Sequence, residues 1–128
     1  PATGALAVAV TTCALAVGAS CPFLRAGVGA VSTQSITNRY LGPAALDGMA
    51  RGLTPGLALD SALAGDEGRA LRQVHALDAR GRAAARTGAH CVDWCGALDG
   101  EGWSLAGNML AGPEVLLATR DAFLAHAG

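Results

Sequence analysis

The chain of 128 residues is long enough for one domain, since a chain of this length buries roughly two-thirds of its unfolded surface on folding. Its net charge is −1, and its nine basic residues, all arginine, are interspersed with acidic ones, which excludes the basic stripe of a nucleic-acid-binding or membrane-surface protein. Hydrophobic residues make up 52% of the chain but aromatic residues only 4%, so the core must be built from closely packed Ala, Val and Leu. No lysine is present, which excludes a lysine base or Schiff base within this chain.

Two strands are predicted in the first part of the chain. Residues 1–4 are typical of a turn, and residues 6–12 (LAVAVTT) are typical of a strand buried on both faces. Because a turn that leads into a strand implies a partner strand before it, we expect the natural protein to have such a strand upstream. Residues 26–34 form the second predicted strand, in which Gly27 and Gly29 allow a bulge or a close backbone approach.

An uncharged stretch over residues 5–24 also fits a signal peptide or a membrane span. No basic residue precedes this stretch, Gly18 and Pro22 interrupt it, and much of it is Ala, which contributes little to membrane insertion. We therefore favour a buried strand with its exit loop.

Two helices are predicted next. Apolar residues at helical spacing predict a helix over residues 41–51, ended by Gly52. Thr54 is a suitable N-cap, and Pro55 suits the first helical position, so a second helix is expected from there to about residue 64.

The remaining elements are a hairpin, a short strand and a final helix. Residues 71–77 and 82–87 flank the turn sequence DARG and are predicted to pair as a hairpin. Residues 103–106 form a short predicted strand, and a helix is expected from residues 112–114 to about residue 125. This order of strands, two helices, strands and a helix predicts an α+β fold with antiparallel pairing, in one domain over residues 1–128.

Several unusual motifs occur together along nearly all of the chain. They are GALAVAV, LAVG, RAGVGAVSTQ, YLGP, RQVHALDARGR, RTGAHCVDW and GNMLAGPEV. In combination they resemble the family catalogued as domain of unknown function 1028 (DUF1028). Members of that family look like Ntn hydrolases, so the resemblance implies an Ntn-hydrolase-like αββα sandwich of two stacked antiparallel sheets between helical layers.

The resemblance also implies a longer natural protein. Family members usually begin with a Met-Thr strand about eight residues upstream of the position of Pro1, and removal of that Met exposes a threonine whose α-amine can serve as its own base. They also continue past the position of Gly128. The leading hypothesis is therefore an N-terminal-threonine hydrolase of small amides or peptides. The alternatives are a non-catalytic binding or structural domain and an inactive fragment.

The same resemblance indicates candidate site residues at strand ends. Thr11 and Thr12 end the strand that would lie beside the nucleophile strand, where their hydroxyls would orient the amine or bind substrate. Ser32, Thr33 and Gln34 end the next strand, where proteasome-like enzymes place a catalytic lysine. The alternative is that β-branched and turn-forming residues simply suit strand ends.

Two further positions are candidates for substrate contacts. Asn108, next to Gly107, is placed to donate to an oxyanion, although Asn also suits a left-handed turn. Arg72 is able to bind a substrate carboxylate, but we favour a surface ion pair with Asp78 or Asp60. The predicted catalytic residues are Thr11, Thr33, Gln34 and Asn108, and the predicted substrate-binding residues are Thr12, Ser32, Arg72 and Gly107.

Histidine and cysteine residues are predicted to be structural. His75 lies on an otherwise apolar strand, which favours a hydrogen-bonded core histidine over a base. The Cys-x3-Cys spacing of Cys91 and Cys95 differs from that of paired zinc ligands, and adjacent His90 and Cys91 would point to opposite faces of a strand. We therefore expect no metal site and no Cys–His nucleophile.

The expected setting is a cytoplasmic protein with reduced thiols, since four cysteines are too few for a disulfide scaffold. No cofactor, nucleic acid or membrane is expected as a partner, and the expected substrate is a small amide or peptide. Because an unpaired apolar strand edge promotes association, we expect the isolated chain to self-associate through residues 6–12.

Overall fold

The computed structural model describes residues 3–126 and contains six strands and three helices within that range. The strands are β1 (Pro22–Arg25), β2 (Gly29–Ser35), β3 (Arg72–Asp78), β4 (Ala83–Thr87), β5 (Gly96–Gly100) and β6 (Trp103–Gly107). The helices are α1 (Leu41–Ala50), α2 (Pro55–Ala64) and α3 (Pro113–His126), with single 3-10 turns at Val17–Ala19 and Arg69–Leu71.

These elements form four layers. Strands β1-β2-β3-β4 make one antiparallel sheet in that order, and β5 and β6 make a separate antiparallel hairpin. Helices α1 and α2 pack on one face of the four-stranded sheet, the hairpin packs over β3 and β4 on the other face, and α3 packs on the outside of the hairpin. The predicted α+β class is confirmed.

The two faces of the four-stranded sheet differ in chemistry, because successive side chains of a strand point to opposite sides. On the side of the helices, Val31 and Val74 pack with Leu46 and Leu59 into the main core cluster. The other side is called here the hairpin-facing side. It carries polar side chains on β2 and β3, namely Ser32, Gln34, Gln73 and His75, with Ser32 opposite His75 and Gln34 opposite Gln73 in register.

Local signals in the sequence account for both helices of the inner layer. Thr54 Oγ1 accepts a hydrogen bond from the backbone N–H of Leu57 (3.4 Å), and Pro55 begins α2 as predicted. Gly52, with φ of 97°, follows α1 and supplies the left-handed turn that a side chain would disfavour. Within α1, Gly42 lies against the ring of Phe23, where a Cβ atom would overlap that ring. Glycine at this position therefore lets α1 approach β1.

The prediction of a strand over residues 6–12 is wrong. These residues form no strand and are exposed or half-buried, because they pair with no strand within residues 3–126. Gly4 has the predicted positive φ (67°), whereas Pro1 and Ala2, the first half of the predicted turn, lie outside the described residues.

The strand predicted over residues 26–34 begins later than expected. Residues 26–28 form a turn instead, in which Gly27 has a φ of 71° and the N–H of Val28 donates to the carbonyl of Arg25 (3.0 Å). That turn joins β2 to β1, a strand that lies where an exit loop was predicted. Strand β5 was also missed, because its sequence GALDG is rich in glycine and poor in strand-forming residues.

The helix over 41–51, the helix from Pro55, the hairpin around residues 78–81, the strand from Trp103 and the final helix are confirmed. Within residues 3–126, the structure has no helix that combines the length and apolar character needed to cross a membrane.

We predict that Leu59→Ala lowers the free energy of unfolding by about 2–5 kcal/mol, because Leu59 is 1% exposed and its loss leaves a cavity in the core cluster. Urea denaturation of the purified chain measures this change. Leu57→Ala on the same helix is the matched control, since Leu57 is 56% exposed, and should change stability by less than about 0.5 kcal/mol. Equal losses in the two variants would contradict the assignment of the core to the inner side of α2.

Candidate functional site

The two sheets meet through a buried amide cluster, defined as Gln34, Gln73 and Asn108. Gln73 is fully buried on β3. Its Nε2 lies 3.0 Å from the carbonyl oxygen of Gly96, 2.9 Å from that of Gly107 and 3.0 Å from Thr87 Oγ1. An amide nitrogen has two hydrogens, so at least one of these is shared between acceptors. One side chain therefore connects β3 to β4 and to both strands of the hairpin.

The oxygen of Gln73 is satisfied within the same cluster. Gln34 Nε2 donates to Gln73 Oε1 (2.8 Å) and lies 3.0 Å from the carbonyl oxygen of Ala106. Asn108 Nδ2 donates to the same Gln73 oxygen (3.1 Å). Because unpaired buried polar atoms are costly, this mutual satisfaction lets polar residues occupy the space between the sheets.

A second polar group lies two residues further along β3. His75 Nδ1 is 2.9 Å from Ser104 Oγ on β6, and Ser104 Oγ is 2.6 Å from Asp99 Oδ1 on β5. Burial lowers the pKa of His75, and the nearby negative charge of Asp99 partly opposes this effect. The imidazole of His75 is therefore neutral at neutral pH.

A cavity of about 420 Å³ lies beside these residues, next to β6 and over β2 and β3. Its polar lining consists of Ser32, His75 and Ser104. Its walls are otherwise apolar: Ala30 and Leu77 come from the sheet, Leu105 and Trp103 from β6, Phe123 from α3, and residues 5–9 lie along one side. The cavity therefore has one polar end, at His75, and a mostly apolar interior.

The structure brings together only some of the predicted site residues. Ser32 lines the cavity, and Gln34 and Asn108 belong to the amide cluster, where the carbonyl of Gly107 accepts from Gln73. Asn108 does not line the cavity, and its oxyanion role stays a prediction.

The threonines lie elsewhere. Thr33 is fully buried on the helix-facing side of β2, where its Oγ1 donates to the carbonyl of Asn38 (3.3 Å), so it lies on the opposite face from Gln34. Thr11 and Thr12 are exposed in a segment without secondary structure and do not line the cavity. The catalytic and binding roles of these threonines stay predictions.

Arg72 forms an ion pair, as favoured from the sequence, but its partner is Asp66. Arg72 Nε donates to Asp66 Oδ2 (2.8 Å), and Arg72 Nη2 donates to Asp66 Oδ1 (3.2 Å). Arg72 Nη1 donates to the carbonyl of Ile36 (2.7 Å). The loop before β3 places Asp66 within reach, whereas Asp60 and Asp78 pair with Arg86 and Arg82.

The cysteines are free thiols at all four positions. Cys91 is buried, and its Sγ donates to the carbonyl of Arg72 (3.3 Å). Burial raises the pKa of the Cys95 thiol, and the nearby carboxylate of Asp93 raises it further, so Cys95 is poorly suited to be a nucleophile. Within the described residues, no group of three His, Cys, Asp or Glu side chains is arranged to hold a metal ion.

Sequence reasoning missed three residues of this region. Gln73 is separated from His75 by one residue, and the alternation of strand side chains places both on the same face, which was a usable signal. Ser104 and Asp99 had no comparable signal, because the contact of Ser104 with His75 depends on how the hairpin packs on the sheet, and Asp99 lies on β5, which was not predicted.

The protein is thus an α+β protein in which a two-stranded hairpin packs on a larger sheet. Beside the hairpin lies a cavity with polar residues at one end. The whole chain, residues 1–128, matches the model of a family of unknown function, DUF1028, and the protein belongs to that family. This confirms the family indicated by the sequence motifs.

A crystal structure from the same family has a similar fold. It is that of a protein from Silicibacter pomeroyi, with a TM-score of 0.84 and 32% sequence identity, and the similarity covers 87% of this chain. It covers 50% of the Silicibacter protein, so the present chain spans about half of that protein's length. No curated protein matches the sequence.

We predict that Gln73→Leu lowers the free energy of unfolding by about 3 kcal/mol, because it removes the buried hydrogen bonds of the Gln73 amide to the carbonyls of Gly96 and Gly107 and to the amide of Asn108. Chemical denaturation measures the loss. Gln34→Leu is the matched control and should cost less, since the Gln73 oxygen keeps its bond from Asn108. A Gln73→Leu variant as stable as the wild type would show that the amide cluster does not stabilise the contact between the sheets.

We predict a loss of stability in acid that arises from the Arg72–Asp66 pair. The hydrogen bond from Arg72 lowers the pKa of Asp66 to about 2, from an ordinary value of 3.8. Because this pKa is depressed in the folded state, the stabilisation is fully present above pH 3.8 and is lost as the pH falls towards 2. Denaturant titrations at a series of pH values between 5 and 2 give the free energy of unfolding at each pH. This free energy should fall less steeply with decreasing pH in Asp66→Asn and in Arg72→Gln than in the wild type. An unchanged slope in both variants would contradict the assignment.

Proposed function

We propose that the protein containing this chain is an amide or peptide hydrolase of the Ntn type, and that the cavity beside β6 binds the acyl part of its substrate. The observation that supports this most directly is the cavity itself, since a concave and mostly apolar pocket with a few polar groups at one end is the usual form of a small-molecule site. The nucleophile in this proposal is the N-terminal threonine that the family resemblance implies.

The layer order supports the same class of protein. Helices, a four-stranded sheet, a hairpin and a further helix follow one another in the order that an αββα sandwich has. The space beside the hairpin and over β2 lies between two of these layers. A substrate bound there would be partly screened from water, which strengthens electrostatic interactions with the reacting carbonyl group.

The lining of the cavity indicates the chemistry of the substrate. Leu77, Leu105 and Trp103 offer apolar contact, whereas the hydroxyl of Ser32 and the imidazole of His75 lie at the polar end. We therefore expect an amide with an apolar acyl group, whose carbonyl lies near His75. No charged side chain lines the cavity within the described residues, which disfavours a substrate that is charged in this region.

Binding is testable through Trp103, which lines the cavity, if Trp94 is first replaced by Phe so that Trp103 is the sole tryptophan. We expect the fluorescence of Trp94→Phe to change saturably when N-acyl amides with aliphatic or aromatic acyl groups are added. Trp103→Phe, which keeps Trp94 outside the cavity, is the control and should show no such change.

Turnover is tested separately with the natural full-length protein, by measuring the amine released from the same amides. Binding with turnover would support the hydrolase. Binding without turnover would support a non-catalytic binding domain, and the absence of both would reject the cavity as the substrate site.

A further inference from the structure

A hydrogen-bonded chain connects Asp99 on β5, Ser104 on β6 and His75 on β3, and it ends at the cavity. We propose that His75 is a general base at the cavity that takes the hydroxyl proton in place of the α-amine of the N-terminal threonine, and that Ser104 and Asp99 are positioning residues that fix its tautomer and orientation. This inference rests on the proposed function for its substrate, but not for its geometry.

The direction of the hydrogen bonds follows from the two distances. A carboxylate only accepts, so the 2.6 Å contact between Ser104 Oγ and Asp99 Oδ1 uses the single hydrogen of the serine hydroxyl. The 2.9 Å contact between Ser104 Oγ and His75 Nδ1 then requires that the histidine donates. In neutral His75 the proton is therefore on Nδ1 and the lone pair is on Nε2.

The Nε2 atom of His75 is accessible, and His75 lines the cavity. It makes no hydrogen bond within residues 3–126, whereas a structural histidine usually engages both ring nitrogens. Among residues 3–126, Ser35 Oγ is the one side-chain nitrogen or oxygen that is both buried from solvent and without a hydrogen-bond partner. Because Nε2 also has no partner but is not such an atom, it must be accessible to solvent. Since His75 lines the cavity, a reacting group bound there meets a nitrogen that is ready to accept a proton.

The charges around His75 suit a base. The neighbouring strands present Ser32 and Ala85 to it in register, and both are uncharged. Asp99 is the charged group that raises the pKa of the His75 imidazole. The same negative charge also raises the pKa of the Arg86 guanidinium. Burial keeps the imidazole neutral until it takes a proton, and the carboxylate then stabilises the imidazolium through Ser104.

The proton transfers balance in both halves of an amide hydrolysis. As the attacking hydroxyl oxygen bonds to the carbonyl carbon, its proton moves to Nε2. As the C–N bond breaks, the same proton moves from Nε2 to the leaving amine. Water then attacks the ester so formed, Nε2 takes a proton from it, and the proton returns to the hydroxyl oxygen as the C–O bond breaks. Ser104 keeps its hydroxyl proton and Asp99 stays a carboxylate throughout.

The tautomer is measurable directly by ¹⁵N NMR of histidine-labelled chain, with the His75→Gln variant used to assign the His75 signals among those of the three histidines. We expect the Nδ1–H tautomer at neutral pH. In Asp99→Asn the Asn amide is able to donate to Ser104, which then donates to His75, so the tautomer should switch to Nε2–H. Asp93→Asn is the matched control, because Asp93 contacts Cys95 rather than this chain, and it should leave the His75 signals unchanged.

The Nε2–H form in the wild type, or an Asp99→Asn variant with unchanged His75 signals, would overturn the inference. The base role is tested in the natural full-length protein, where His75→Gln should lower kcat by about 10²- to 10⁴-fold. Unchanged turnover in His75→Gln would also overturn the inference. A wild-type protein that hydrolyses no amide would reject the proposed function alone, since the NMR result tests the hydrogen-bonded chain without any substrate.

Discussion

The arrangement of the two sheets depends on the buried amide of Gln73. This side chain lies on β3, and its nitrogen and oxygen together contact β4, both strands of the hairpin, Gln34 and Asn108. Apolar surfaces pack with little directional preference, whereas these hydrogen bonds require one position of the hairpin over the sheet. They place β5 and β6 over β3 and β4 and leave the space over β2 to the cavity.

The two faces of the four-stranded sheet carry different kinds of side chain, apolar on one face and polar on the other. The helix-facing side holds Val31, Val74 and their apolar neighbours, which supply the core. The hairpin-facing side holds polar groups that are costly to bury unless they are paired. The amide of Gln73 is paired through both its nitrogen and its oxygen, whereas the Nε2 atom of His75, a residue that lines the cavity, has no partner in the described residues and is accessible.

The elements that the sequence predicted correctly have local signals. Thr54 and Pro55 start α2, and the DARG turn joins β3 to β4, because caps and turns depend on residues close in sequence. Strands β1 and β5 escaped prediction because they are short and form through pairing with β2 and β6. Residues 6–12 were predicted to be a strand but do not form one, because an apolar pattern alone does not make a strand without a partner strand.

The candidate site was predictable to a similar extent. Ser32 and Gln34 were recognised because they lie at a strand end, although alternation along β2 turned Thr33 to the other face. Gln73 and Asn108 meet across 35 residues of sequence, and His75 and Ser104 across 29. Such contacts depend on how the hairpin folds onto the sheet, and no short motif encodes that geometry.

The walls of the cavity differ in how firmly the fold fixes them. Ala30 and Leu77 belong to paired strands that are covered by helices on their far side, so that wall is stiff. Phe123 belongs to α3, in which Leu116 is the one buried residue among those described, and its ring lies 6.4 Å from that of Trp103, centroid to centroid. A small shift of α3 changes the volume of the cavity without disturbing the core. The cavity therefore has a stiff wall on the side of the four-stranded sheet and a more compliant wall on the side of α3, so under the proposed function it would admit apolar groups of different sizes.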